Sequence, residues 1–293
     1  MRTGSEDVPA TARRPAGAPA AASLAIRDLL HGPRREGKVI GTADRLVLAE
    51  FSGTASEPHV VAIASPDTVR LPNSVITAAA PLLAPVGAHA QAGNGRIVVA
   101  DTTVVPLRWW DPVPVVGPLS RSRLDHGAAV LARVCAQSQH APGLAGQHGP
   151  SALVACCASG DLASAVEHAE TLVGLGPGLV PAGDGVLCGL LLALRLLGGA
   201  IPGGTRAVWL ADWLSAAVTA YARERTIPLG ASLLHCAARG QAPAEVSAVL
   251  HGLAGEEPAE PAARKLLTSG PWMADVAWGV VAGCRAARML SVS

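Results

Sequence analysis

Aromatic side chains are almost missing from this chain: its 293 residues include one Tyr, one Phe and six Trp, 3% in all. Hydrophobic residues still make up 50%, so the core must be built from Ala, Leu and Val. Such a composition favours closely packed helices over aromatic-rich sheets. Net charge is scarce too, at +1, and no basic patch with interleaved aromatics occurs. Nucleic acid is therefore not expected as a partner. No CxxC pair occurs among Cys135, Cys156, Cys157, Cys188, Cys236 and Cys284. Scattered thiols in apolar surroundings read as small core residues in a reducing compartment. The nine histidines contain no HxxxH or HExxH, so neither a metal centre nor a cofactor is expected. No apolar stretch of the signal-peptide kind opens the sequence. The run from Val186 to Leu197 is too short to span a bilayer and carries Arg195. These absences predict a cytoplasmic protein with no membrane partner.

What is present falls into three parts. Residues 1–22 are Ala, Pro, Gly and Arg with almost no large apolar side chain, so they cannot offset their ordering entropy and read as a disordered tail. Residues 23–120 form a β-rich domain. It begins with a short amphipathic helix, "SLAIRDLLHG", capped by Ser23 and stopped by Gly32. Val/Ile-rich runs come next: "GKVIGTADRLVLAEF", "HVVAIAS", "SVITAA", "GRIVVADTTVVPL" and "VPVVGPL". "GNGR" at 93–96 is a hairpin signal. A small antiparallel sheet or partial barrel is expected, with Trp109 and Trp110 packed at its junction with the helical part. Residues 121–293 are a helical domain, its segments bounded by Gly or Pro, with Asp161 and Thr205 as caps. The fold class is α+β.

One stretch stands apart. "GLGPGLVPAGDG", residues 174–185, holds five glycines, two prolines and one aspartate directly before the most apolar helical run. Pro181 suits the first turn of a helix, which puts Val180 near the N-cap and Asp184 in that turn. The helix, from about 181 to 197, is apolar on nearly every side and should be enclosed by others. A helix N-terminus offers unpaired N–H groups and partial positive charge, so Gly174, Gly176, Gly178, Gly183 and Gly185 form a plausible cradle for a small anion. The stretch is no P-loop and fits no GxGxxG, and Asp184 would repel an anion. A turn that only redirects the chain remains the alternative.

This stretch resembles the signature G-L-G-x-G-L-T-P-S-G-D-D-F-L-x-G of a bacterial family long described as a domain of unknown function. The family includes the AllH-type subunit of oxamate carbamoyltransferase, and this chain looks like a divergent member. "RWWDP", "RERT" with "SLLHCAARG", and "SGPWMADVAWGVVAGCRA" are similar to further family elements. The resemblance implies carbamoyl transfer between phosphate and the amide nitrogen of oxamate. It also implies partner subunits, of the FdrA type and another allantoin-operon type; a homo-oligomer is the alternative. Asp184, Thr226 and Asp275 then stand as catalytic candidates, and the five glycines as binding residues for a small anionic substrate. Val180, Ala182 and Gly185 replace a Thr, a Ser and a second Asp of the family pattern. Gly230 replaces a Ser, and Pro271, Trp272 and Met273 replace a polar loop. These changes imply either a less polar ligand, as in a diverged enzyme of specialised metabolism, or a binding subunit that has lost the chemistry.

Bland readings stand beside the catalytic ones. Asp275 at the start of the last helix suits its dipole without any further role, and the Thr226 hydroxyl suits a turn. Arg223 and Arg225 are the cations nearest Thr226 in sequence. The pocket is expected between the 174–185 loop, Thr226 and the start of the last helix.

Overall fold

Strand β4, His59–Ala64, is apolar along its length because both of its faces are covered. Val61 and Ile63 point into one core, while Val60 and Ala62 point the other way into a second. The two cores belong to the two halves of the molecule. The computed structural model describes residues 17–43, 45–53, 59–78 and 84–291.

The first core fills a closed barrel of eight strands. Besides β4 these are β1 Ala18–Ser23, β2 Arg35–Ala43, β3 Leu46–Phe51, β5 Ser74–Thr77, β6 His89–Gly93, β7 Arg96–Val99 and β8 Thr102–Trp110. Around the barrel the order is β1-β5-β4-β3-β2-β6-β7-β8, and β8 returns to β1. Inward-facing Val39, Val47, Ala49, Val61, Ile63, Val75, Ile97 and Val104 are all at most 1% exposed. Helix α1, Arg27–His31, adds Leu29 and Leu30 to this core, with Ile26 from the 3₁₀ turn Leu24–Ile26 before it. Ser23 caps that turn by accepting from the Ala25 amide at 3.1 Å, and Gly32 ends α1. The β6–β7 hairpin turns on Asn94 and Gly95, both left-handed (φ 51° and 77°), the signature of a type I′ turn.

Several expectations are corrected here. The β-rich part is a barrel, as the partial-barrel expectation has it in outline, but it is closed, and mixed where an antiparallel sheet is expected, with β1–β8 and β4–β5 parallel. The expected disordered tail, 1–22, reaches too far into the chain. Residues 1–16 lie outside the described residues, but Ala18–Ala22 belong to β1, which pairs with β5 and β8 and closes the ring. Backbone pairing needs no large side chain, and Ala22 is fully buried. "VPVVGPL" at 113–119 is an irregular crossing, not a strand. Pro112, Pro114 and Pro118 lack the N–H a ladder requires. Trp109 packs on His31 inside the barrel half, with ring centroids 5.3 Å apart, and not at the junction.

The helical half contains α2 Arg121–Ala136, α3 His148–Ser159, α4 Leu162–Leu172, α5 Ala182–Leu192, α6 Gly198–Ala200, α7 Thr205–Ala220, α8 Ala222–Arg225, α9 Pro228–Ala238, α10 Ala244–Ala254, α11 Ala259–Thr268 and α12 Trp272–Leu290. Asp161 caps α4 through the Ser164 amide, whereas Thr205 is the first residue of α7 and Gly204 holds its cap position. Helix α5 begins at Ala182 with Pro181 as its cap, one residue later than the sequence implies. Every residue from Ala182 to Leu192 is buried. A π-helical segment, Ala193–Leu197, joins α5 to α6. Together they form a stretch, Ala182–Ala200, long and apolar enough to cross a membrane, yet most of it is buried inside the protein. The cysteines are free and sit in or against the cores, where burial pushes the Cys157 and Cys284 thiols up to about 12.

The halves are joined by buried polar contacts. Asn73, just before β5, donates to the Val60 carbonyl at 2.9 Å and to Ser232 Oγ of α9 at 3.3 Å. The Ala242 and Ala244 amides donate to the Pro112 and Arg70 carbonyls at 2.9 and 3.1 Å.

Candidate functional site

After α4 the glycine-rich loop bends back tightly enough for α5 to start beneath it. At Gly174 (φ 75°) an added Cβ would lie 2.0 Å from the Arg225 carbonyl oxygen, and at Gly183 it would lie 1.9 Å from that of Leu172. Only glycine allows these approaches. Gly176 abuts Leu144 and Ala182, and Gly185 lies against the Asp275 Cβ in the first turn of α12. The Gly183 amide donates to the Leu175 carbonyl at 2.8 Å, and residues 182–185 are wholly buried. The first turn of α5 is therefore packed inside the protein. Of the five glycines, Gly178 alone lines the neighbouring cleft.

Asp184 is 0% exposed. Its Oδ1 accepts from the Gly174 amide at 2.8 Å, and its Oδ2 accepts from the Thr226 hydroxyl. The carboxylate thus ties the loop, α5 and the approach to α9 together at one point. Burial raises its pKa, and the Thr226 and Gly174 bonds act against that rise. Gly230 in α9 leaves the room this bond needs, since a Cβ there would lie 2.3 Å from Asp184 Oδ2. Arg225 donates to the Glu170 carbonyl at 2.7 Å, and Arg223 lies 4.0 Å from Glu50. Neither arginine lines the cleft.

The cleft itself, about 1190 Å³, lies between the barrel and the helices. Leu46, Asp67, Thr68 and Leu71 form its barrel wall. Pro177–Val180, Leu229 and Leu233 of α9, Glu245 of α10, Lys265 of α11, and Pro271, Trp272 and Asp275 at the start of α12 form the other. Of the three catalytic candidates Asp275 reaches it, whereas Asp184 and Thr226 do not line it. At 5% exposure, Asp275 accepts from the Gly143 amide through Oδ1 at 2.8 Å. Burial pushes its carboxyl up to about 6, against the opposing effect of the Gly143 bond. Pro271 and Trp272 face the cleft, whereas Met273 is core.

Sequence reading missed Glu245, Lys265 and the whole barrel wall. Glu245 carried a signal, being an acid in the apolar run "APAEVSAVLHGLAG", but a first-turn acid ordinarily serves the helix dipole. Among the described residues no group of three or more His, Cys, Asp or Glu could hold a metal ion.

No curated protein and no solved structure matches the chain. Residues 172–284 match the family model described as oxamate carbamoyltransferase subunit AllH. The matched segment holds the loop, Asp184, Thr226 and Asp275, while the barrel wall of the cleft lies outside it. Over these residues, in its helical half, the chain is similar to the oxamate carbamoyltransferase subunit AllH family.

Proposed function

We propose that the chain is a carbamoyltransferase-related subunit whose substrates meet in the cleft between barrel and helices, with Asp275 as proton acceptor. The observation that carries this reading is Asp275 itself, a buried carboxylate on the cleft wall with its pKa pushed up to about 6. A base with such a pKa suits proton transfer near neutral pH. In the proposed step an acceptor nitrogen attacks the carbamoyl carbon of carbamoyl phosphate. The bond from that carbon to the phosphate oxygen breaks, phosphate leaves, and the proton lost by nitrogen passes to Asp275. Lys265, exposed at the rim, supplies positive charge for the phosphate. Most of the acceleration then comes from orientation and charge stabilisation. Asp184 and Thr226 are positioning residues that hold the loop and α9 in place. The family description, which names a carbamoyltransferase subunit, supports partner subunits.

The test is phosphate release from carbamoyl phosphate by the full chain, alone and with candidate partner subunits. Asp275→Asn is expected to lose at least ~100-fold in kcat, in line with the removal of a general base. In the active protein the rate should rise as pH passes through about 6, where Asp275 ionises. Failure to consume carbamoyl phosphate in any combination would favour the second reading, a non-catalytic binding subunit. Val180 and Ala182, which stand where the family pattern has hydroxyls, favour that reading.

A further inference from the structure

The cleft is far larger than carbamoyl phosphate, and its walls are mainly apolar. At about 1190 Å³ it exceeds the usual range for drug-sized ligands, roughly 300–1,000 Å³. Leu46, Leu71, Leu229, Leu233 and Trp272 offer apolar contact. Two buried acids interrupt that lining. Glu245 is 9% exposed, and its Oε2 is buried and meets no hydrogen-bond donor among the described residues. Asp275 uses Oδ1 on Gly143, which leaves Oδ2 for another donor. A buried carboxylate oxygen without a donor is destabilising, and a ligand N–H that reaches it removes the penalty. The terminal torsion of Glu is broad, so rotation about it exchanges which oxygen of Glu245 meets the cleft that this residue lines.

From this lining we infer that the cleft takes a nitrogen acceptor with an apolar body, an amine or a primary amide, whose N–H group is received by the carboxylates of Glu245 and Asp275. Resting on the proposed carbamoyl transfer, the inference names its acceptor class. Carboxylate-headed ligands are disfavoured, because they would place an anion beside buried acids with no donor between them. Pro271 and Trp272 add apolar surface to the same wall.

Calorimetric titration of the full chain with 1-naphthaleneacetamide, 1-naphthylmethylamine and 1-naphthaleneacetate separates head from body. The amide and the amine are expected to bind at least tenfold more tightly than the acetate. Glu245→Gln and Asp275→Asn keep size and shape, and each gains an amide N–H. In whichever variant has lost the receiving oxygen, the preference for nitrogen heads should fall to within twofold of parity or reverse. Acetate binding as tight as the amide in the unaltered protein overturns the inference, as does a preference unchanged in both variants. Absence of binding by all three probes overturns it as well. None of these titrations needs carbamoyl phosphate or a partner. A retained preference without carbamoyl phosphate turnover would therefore sink the transferase reading and leave the acceptor site standing.

Discussion

Asp184 and Asp275 are both buried carboxylates set beside the glycine-rich loop, but they differ in what their oxygens meet. Asp184 uses one oxygen on the Gly174 amide and the other on Thr226, and has no solvent exposure. Asp275 uses one oxygen on Gly143 and lines the cleft. Asp184→Ala would strand the half-buried Gly174 amide and Thr226 hydroxyl. The expected loss is about 2–4 kcal/mol of stability, read by urea unfolding. Asp184→Asn keeps an acceptor for Gly174 and should cost less than half as much. Equal stability of the alanine variant and the parent would dismiss the tie. Because Asp184 holds the fold, Asp275→Asn is the better test of catalysis. Any side chain at 230 would collide with the Thr226–Asp184 pair, and one at 185 would meet Asp275 2.8 Å from its Cβ.

Between elements, the pair α5 and α12 sets the geometry of the cleft, because α12 carries Trp272 and Asp275 into it. The two helices approach backbone to backbone. A Cβ at Gly189 would lie 2.0 Å from the Val276 carbonyl oxygen, and one at Gly279 would lie 2.1 Å from that of Val186. Neither carbonyl can yield without moving its helix. Gly279→Ala is therefore expected to destabilise by about 2–3 kcal/mol despite alanine's better helix propensity. Gly199→Ala serves as the control, since its nearest contact would be an ordinary 3.7 Å. Denaturant midpoints that are the same for the two variants would refute the close-packing account. This helix pair was only half legible in sequence. The all-round apolar character of α5 announced that other helices must enclose it, but not that α12 would lie against its glycines.

At the scale of the molecule, the barrel closes through its least conspicuous strand. β1, "APAAAS", lies between β5 and β8. Its removal would expose two unpaired edges, which invite aggregation. Two short truncations isolate its contribution. Deleting residues 1–23 should lower the melting temperature by more than about 10 °C or yield aggregate, whereas deleting 1–16 should change it by less than about 2 °C. Equivalent melting curves for the two truncations would show that closure by β1 contributes nothing.

The sequence by itself determined the local features. It placed "HVVAIAS" as a strand, the hairpin turn at Asn94–Gly95, the Ser23 and Asp161 caps, the apolar α5 and the order of β-rich before helical parts. Each depends on propensity or periodicity within a dozen residues, which a window of sequence contains. Tertiary structure alone decided that an alanine-rich strand closes the barrel and that Asp184 is locked in the core while Asp275 lines the cleft. It also decided that Glu245 meets the same cleft as Leu46 and Thr68, residues far removed from it along the chain. These outcomes depend on which distant backbones pair and which side of each element is covered. "GLGPGLVPAGDG" shows the division clearly. Its composition required close backbone approach, and the fold determined that the Arg225 and Leu172 carbonyls make that approach.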